Sequence, residues 1–453
     1  MVNFSDLNFI FRFLPVFLVA FYLTPVRFRT WTLLFGSLLF YAVGDLRMFP
    51  ALLAAVIVNF LFAKAQFGEK SKSLLFFVLA IDAGMLIEFK ILGQYVDKSL
   101  LPIGISFYIF KMISYQMDVY RGKVEKDASF VDVAAYFCMF PQVVSGPIMR
   151  FDKYLENTAL REKTSLSQIA ESIEDGLRFF VAGLAMKVLL ADHLAMLWKD
   201  IGTIGYESIS TPLAWLGAVT YSLELYFDFW GYSLMAAGIG VMIGFPFITN
   251  FDHPYGSGSV SEFYRRWHAT LGSWFRDYIY IPLGGSRKGE ARTVFNLLVV
   301  WLVTGFWHGI TLNFIIWGLS LCFLIICERL FVLKRFPAPL SKFVGKVNVL
   351  ILIPLTWVVF AISDFDMLGT YFSRLFPFTG SGIAVNQGDF LKNIGIYWTV
   401  LLPSLILLIP KVYDFWVNRR NRWIFNILWL ILFWACIYSL AGAAGNPFMY
   451  FKF

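Results

Sequence analysis

The chain has 453 residues, 58% of them hydrophobic and 15% charged, with a net charge of +8. A soluble globular domain carries charge on about a quarter of its positions, so this composition excludes a soluble enzyme or binding module and points to a protein built for the bilayer. The positive balance fits basic cytoplasmic loops rather than nucleic acid, because no basic arm or soluble aromatic stacking platform accompanies it.

At about 20 residues per crossing, the length allows roughly 10–12 spans in an all-α, polytopic architecture. With no internal repeat or low-complexity linker, residues 1–453 read as one membrane domain. Apolar segments near 8–24, 31–43, 49–63 and 74–89 predict the first four helices. The first lacks a basic leader region and a small-residue cleavage site, so it reads as a retained helix. Basic residues at Arg27 and Arg29, and again from Lys64 to Lys72, place those connections inside and the N-terminus outside.

Residues 101–120 are apolar but interrupted by Lys111 and Asp118, which suits a helix facing protein or a water-filled cavity. Residues 128–150 contain FPQVVSGPIMR, and two prolines and a glycine there predict a broken or re-entrant segment. A polar stretch, 151–175, leads into spans near 177–197 and 212–230 and a Gly-rich one at 231–247. Further spans are expected at 310–327, 349–362, 394–410 and 423–441. The basic connections Arg329 to Lys346 and Lys411 to Arg422 should face the cytoplasm, which sends the tail, residues 442–453, outward. The four cysteines, Cys138, Cys322, Cys327 and Cys436, lie in apolar runs with no metal spacing and no sign of a disulfide framework.

Residues 261–309 hold the densest chemistry. On a helical wheel over 259–280, Phe263, Trp267, Leu271, Trp274, Phe275 and Tyr278 share an arc of about 120°. Glu262, Arg265, Arg266, Arg276 and Asp277 lie opposite, which predicts one interfacial helix with its apolar side down. His268 falls on the border, where orienting the helix and catalysis are both open. His308 is the lone ionisable residue between Val294 and Ile326. Trp301, Thr304 and His308 share a face, and Gly305 and Gly309 would admit a second backbone or a ligand. Desolvation favours a neutral imidazole, which suits a general base for a hydroxyl. The plainer alternative is a ring satisfied by Thr304 or a backbone carbonyl.

Tyr221, Glu224, Asp228 and Tyr232 also share a face, within about 80°. They read as a polar seam between helices, with one carboxyl protonated or paired to a base such as an arginine of 265–276. Asp82, Glu88 and Lys187 read as snorkelling or seam residues near span ends. Phosphate-loop, nucleophile-elbow, zinc-helix and dinucleotide motifs are absent.

The runs ISFYIFKMISYQMDVYRGK (105–123), FPQVVSGPIMR (140–150), YFDFWGYSLMAAGIG (226–240), FYRRWHATLGSWFRDYIYIPLGG (263–285) and WLVTGFWHG (301–309) carry a resemblance. Together they resemble the membrane-bound O-acyltransferases of the bacterial alginate O-acetylase type and, more distantly, the membrane proteins of teichoic-acid D-alanylation. The resemblance implies tilted helices in a ring around a central funnel, with His308 at the bottleneck and His268 as the second histidine. It implies a cytoplasmic thioester donor such as acetyl-CoA, no metal and no resident cofactor. The acyl group would leave on the outer side for an extracytoplasmic SGNH-type acetyltransferase that modifies an envelope polysaccharide. Trp267, Arg265, Arg266, Arg276, Trp307, Thr304 and Asp228 are the candidate donor- or substrate-binding residues, with Arg287 and Lys288 also available to the donor's phosphates. The closing run from Pro447 to Phe453 resembles the family's aromatic tail, which makes Tyr450 a candidate acyl carrier; an interfacial anchor is the alternative. The expected location is the bacterial cytoplasmic membrane. From the residues alone, a secondary transporter or lipid-carrier flippase remains the competing class, although the two pseudo-symmetric halves common in transporters are not evident.

Overall fold

Long apolar runs in a solvent without hydrogen-bonding partners must satisfy their own backbone, and a helix does this within one segment. The first four runs do so close to their expected bounds, as Phe9–Leu23, Arg29–Gly44, Phe49–Gly68 and Lys72–Tyr95. The computed structural model describes residues 3–124, 128–144, 146–157, 160, 162, 164–379, 386, 388–418 and 423–442. Among them the protein is all-α, without a strand. By length and composition alone, six helices can cross a membrane: Phe49–Gly68, Leu166–Ile204, Leu312–Arg335, Ala338–Ala361, Asp389–Leu407 and Trp423–Gly442. Other helices of comparable length bury polar groups, as Lys72–Tyr95 does with Asp82 and Ile105–Tyr120 with Lys111. The protein is therefore a polytopic membrane protein in which part of the helical content serves an interior.

The glycine-rich stretch after Trp230 is not a separate span. Thr211–Met242 is one helix of 32 residues, buried on nearly every side. Its glycines are contact points rather than boundaries. A Cβ on Gly231 would lie 2.6 Å from the Gly183 carbonyl oxygen, and one on Gly238 would lie 2.5 Å from that of Gly176. The facing helix therefore runs backbone to backbone against it, the close packing that small residues permit between membrane helices. That facing helix continues from Leu166 to Ile204, past the expected end near 197, through a π-helical turn at Met186–Ala191. Such turns shift side chains out of the regular α register.

Here the turn delivers Lys187 into the seam. Its ammonium lies 2.7 Å from both Asp192 and Asp228, with only 2% of the side chain exposed. Lys187 is thus a buried bridge between two carboxylates, not a snorkelling residue, and it takes the place of the arginine partner expected for Asp228. The neighbouring seam residues pack into the core: Tyr221 meets Trp198, and Tyr232 stacks on Phe4.

The FPQVVSGPIMR segment is broken and buried as its prolines require. Phe130–Cys138 ends at Met139, a short turn Phe140–Val143 follows, and residues 146–150 are not helical. Lys111 explains how a cation is tolerated beside it. The ammonium donates to Gln142 Oε1 at 3.2 Å and sits 4.4 Å from the centre of the Tyr136 ring.

Alanine at Gly231 and at Gly240 should have opposite signs. Helix propensity favours alanine at both positions, by up to about 1 kcal/mol. At Gly240 the nearest atom to a new Cβ is 3.8 Å away, so the melting temperature of Gly240→Ala should hold or rise. At Gly231 the clash is with backbone, and overpacking of about 1–3 kcal/mol should lower it. Equal melting temperatures in the two variants would contradict the close helix contact.

Candidate functional site

Glu290–His308 is a helix that ends on His308. Its partner, Leu312–Arg335, turns back against it across small residues. A Cβ on Gly305 would meet the Phe314 carbonyl oxygen at 2.8 Å, and one on Gly318 the Trp301 carbonyl oxygen at 2.6 Å. The second backbone expected beside Gly305 is therefore this hairpin's own return strand of helix. His308 is 6% exposed and sits in an aromatic cage. Ring centres of Trp307, Trp317 and Phe360 lie 4.4, 4.9 and 5.1 Å from its own. The Thr304 hydroxyl donates to the Val300 carbonyl at 2.7 Å, one turn back along the helix.

The expected interfacial helix over 259–280 is three pieces. Val260–Arg266 is capped by the Ser259 hydroxyl, which accepts from the Glu262 amide. The chain then breaks, with His268 in the left-handed region at φ 47°, and resumes as Ala269–Phe275 before a π-helical turn at Arg276–Tyr280. The apolar arc is buried as expected, but on two separate clusters. Phe263 and Trp267 join the main core, whereas Leu271, Trp274, Phe275 and Tyr278 pack with Phe107, Phe110 and Trp307. The side-down helix is thus corrected to a kinked segment folded into the protein.

Asn250 holds the kink. Its Oδ1 accepts from the Thr270 amide at 3.2 Å and the Thr270 hydroxyl at 2.8 Å, and meets His268 Nδ1 at 3.0 Å. Its amide nitrogen donates to Ser233 Oγ at 2.9 Å. This pattern fixes the amide orientation and, through it, the tautomer. An oxygen that accepts from Thr270 requires the hydrogen of His268 to sit on Nδ1, which leaves a lone pair on Nε2. That Nε2 is buried and has no hydrogen-bond partner among the described residues. Trp307 touches both imidazoles, with its ring centre 6.2 Å from His268 and 4.4 Å from His308.

Two cavities meet at His308. One, of about 530 Å³, is lined by His268, Trp267, Trp301, Thr304, Trp317 and His308, with Arg265 and Arg276 at its rim. The other, of about 170 Å³, is lined by Trp307, His308, Phe107, Ser106, Lys90 and Lys98. Sequence reasoning therefore brought together His308, His268, Trp267, Thr304, Arg265, Arg276 and, on the second cavity, Trp307. Asp228 lies in the Lys187 seam and lines neither cavity. Arg266 is ion-paired to Glu262 at 2.7 Å and also lines neither. Arg287 and Lys288 are exposed beyond the Gly284–Gly285 turn. Tyr450 and the aromatic tail lie outside the described residues.

Two residues escaped the sequence reading. Asn250 comes from a loop between helices, with no local signal. Lys90 sits near the end of the Lys72–Tyr95 helix, and its ammonium donates to the Trp307 carbonyl next to His308. An ammonium in the last turns of an apolar helix was the available sign.

These features define a polytopic membrane protein with a buried two-histidine site between two cavities. Residues 121–338 match the model of the membrane-bound O-acyltransferase family. The relative named "Probable alginate O-acetylase AlgI" in Pseudomonas putida is 33% identical, with 99% of this chain and 100% of that protein covered. A peptidoglycan O-acetyltransferase of Helicobacter pylori is 31% identical over 79% of this chain and 76% of that protein. A teichoic acid D-alanyltransferase of Lacticaseibacillus rhamnosus is 28% identical over 61% of this chain and 73% of that protein. The chain belongs to the membrane-bound O-acyltransferase family and is similar to its alginate O-acetylase branch over nearly its whole length. It is a membrane-bound acyltransferase, and the transporter reading gives way.

Asn250→Ala should remove the acceptor shared by Thr270 and His268 and let the kink relax. Acyl transfer should fall at least tenfold while the protein still inserts, because losing a positioned catalytic group costs about that much or more. Asn250→Asp keeps the acceptor oxygen and should recover part of the activity. An alanine variant as active as the parent would show that the kink does not depend on this side chain.

Proposed function

We propose that the protein is an O-acetyltransferase of the bacterial cytoplasmic membrane. It takes an acetyl group from a cytoplasmic thioester, such as acetyl-CoA, and hands it across the membrane for O-acetylation of an envelope or extracellular polysaccharide. One observation carries the reading: His308 is a wall common to two cavities that leave it in different directions. The larger cavity flanks the helix Glu290–His308 toward its start, where Glu290 pairs with Lys334 of the basic connection assigned to the cytoplasm. The smaller lies at the ends of Glu290–His308 and Lys72–Tyr95. The charge pattern places those ends on the opposite side.

In this mechanism the donor enters the larger cavity. Arg265 and Arg276 at the rim attract its phosphates, with Arg287 and Lys288 adding to the local positive field, whereas the charge of Arg266 is balanced by Glu262. Trp267, Thr304 and Trp301 shape the space for the thioester. The acceptor hydroxyl arrives through the smaller cavity. His308 takes its proton as the oxygen attacks the thioester carbon. The carbon–oxygen bond forms, the carbon–sulfur bond breaks, and the thiolate leaves with the donor and is protonated. His268, its hydrogen fixed on Nδ1, lines the same chamber and orients the donor. Neither step calls for a metal or a resident cofactor.

Tyr450 is the proposed first acceptor. Its phenol is a competent acyl carrier once deprotonated, and the outward placement of residues 442–453 would present the loaded ester to an SGNH-type acetyltransferase outside. The names of the alginate and peptidoglycan relatives favour acetyl over a larger acyl group and a polysaccharide as the final substrate.

His308→Ala should reduce polysaccharide O-acetylation by at least about a hundredfold, the lower end of general-base effects, with normal membrane levels of the protein. Ester-linked acetyl measured on isolated polymer reads this directly, and parental acetylation would remove His308 from the mechanism. Tyr450→Phe should give the same loss if the tail carries the acyl group. Full acetylation in that variant would leave the tail an anchor.

A further inference from the structure

The smaller cavity, like its neighbour, is lined by cations and by no carboxylate. Lys90, Gln94 and Lys98 all line it. Lys90 and Gln94 are one turn apart on the same face at the end of the Lys72–Tyr95 helix, and Lys98, which opens the short turn that follows, lines the same cavity. The row runs from His308, where Lys90 donates to the Trp307 carbonyl, to the exposed Lys98. Ser106 adds a hydroxyl on the facing wall. No ion pair among the described residues takes up Lys90 or Lys98.

The nearby carboxylates are engaged elsewhere. Asp97 accepts from the Ser99 amide at 2.8 Å. Asp45 accepts from the Met48 amide at 3.1 Å and the Ile103 amide at 3.2 Å. Glu88 is exposed and does not line the cavity. An inward ammonium without a carboxylate is expensive within a membrane domain and marks a functional pathway. A cavity with one sign of charge and low-dielectric walls also concentrates ligands of the opposite sign.

We propose that the Lys90–Gln94–Lys98 row is an anion subsite, so that the acceptor brought to His308 from this side carries a negative charge, a carboxylate, beside its hydroxyl. This rests on the acyltransfer reading above but puts a separate acidic molecule in the place of Tyr450, because residues 442–453 hold no Asp or Glu. Lys98 at the mouth attracts the anion, Gln94 offers its amide along the way, and Lys90 holds the charge while the hydroxyl reaches the imidazole. The carboxylate takes no part in bond making. Its attraction to the row lowers the cost of placing a flexible acceptor in a narrow space, about 170 Å³.

The test uses the full-length protein in lipid nanodiscs and three probes of one size: 4-hydroxyphenylacetate, its neutral amide, and tyramine. Binding is measured by calorimetry without any acyl donor, in the parent, Lys98→Gln, Lys90→Gln and His308→Ala. The parent and His308→Ala should bind the carboxylate at least tenfold more tightly than the amide, with tyramine weakest. Lys98→Gln, at the exposed mouth where folding is not at stake, should lose most of that preference, and Lys90→Gln the rest. Equal binding of the three probes by the parent overturns the subsite, as does no binding of any of them or a preference that survives both lysine substitutions. Acetyl transfer from acetyl-CoA to the bound phenol is read separately. Charge preference without transfer would leave the subsite standing and count against the acyltransfer reading.

Discussion

A helix that stops inside a protein leaves its last carbonyls without intrahelical partners. Glu290–His308 stops inside this one, and much of the site follows from how that end is satisfied. The Gly309 amide closes back on the Gly305 carbonyl at 3.1 Å, while the Trp307 carbonyl is taken by Lys90 from another helix. A cation at the negative end of a helix is also favoured by the macrodipole. With the end pinned from two directions, His308 is held at the meeting point of two cavities, and the aromatic cage of Trp307, Trp317 and Phe360 limits its rotation.

The second histidine is placed by the opposite device, a helix that starts inside the protein. Ala269–Phe275 needs acceptors for its first amides, and Asn250 supplies a side-chain oxygen while its own carbonyl takes the Ala269 amide at 2.8 Å. The left-handed turn at His268 is what allows the chain to leave one helix and enter the next within two residues. A non-glycine residue in that conformation is strained, and such strain tends to sit where a side chain must be aimed. Around this kink the Lys187 bridge and the glycine contacts of Thr211–Met242 supply a wall, and Trp307, on the helix that carries His308, lies between the two imidazoles that line the larger chamber.

The sequence was informative where the physics is local. Helix positions along the first hundred residues, the broken FPQVVSGPIMR segment and the solitary His308 all followed from hydropathy, proline and the rarity of ionisable groups in a span. It misled where distant segments decide. A helical wheel runs smoothly through Trp267 and His268, because the break is imposed by Asn250, far enough away to leave no periodic trace. Glycines at 231 and 238 look like span punctuation until the facing Gly176 and Gly183 are known. The partner of Asp228 depends on a π-helical turn, and Lys90 matters only because the Trp307 carbonyl ends beside it. In each case the missing information was the neighbour, not the residue.

In the proposed mechanism His308 separates two compartments that reach opposite faces of the membrane. Accessibility of single cysteines tests this most directly. With Cys138, Cys322, Cys327 and Cys436 replaced, Ser273→Cys marks the larger cavity and Ser106→Cys the smaller. In sealed vesicles of known orientation, a small impermeant thiosulfonate reagent should modify Ser273→Cys from the cytoplasmic face only and Ser106→Cys from the outer face only. Modification of both cysteines from the same face would contradict it.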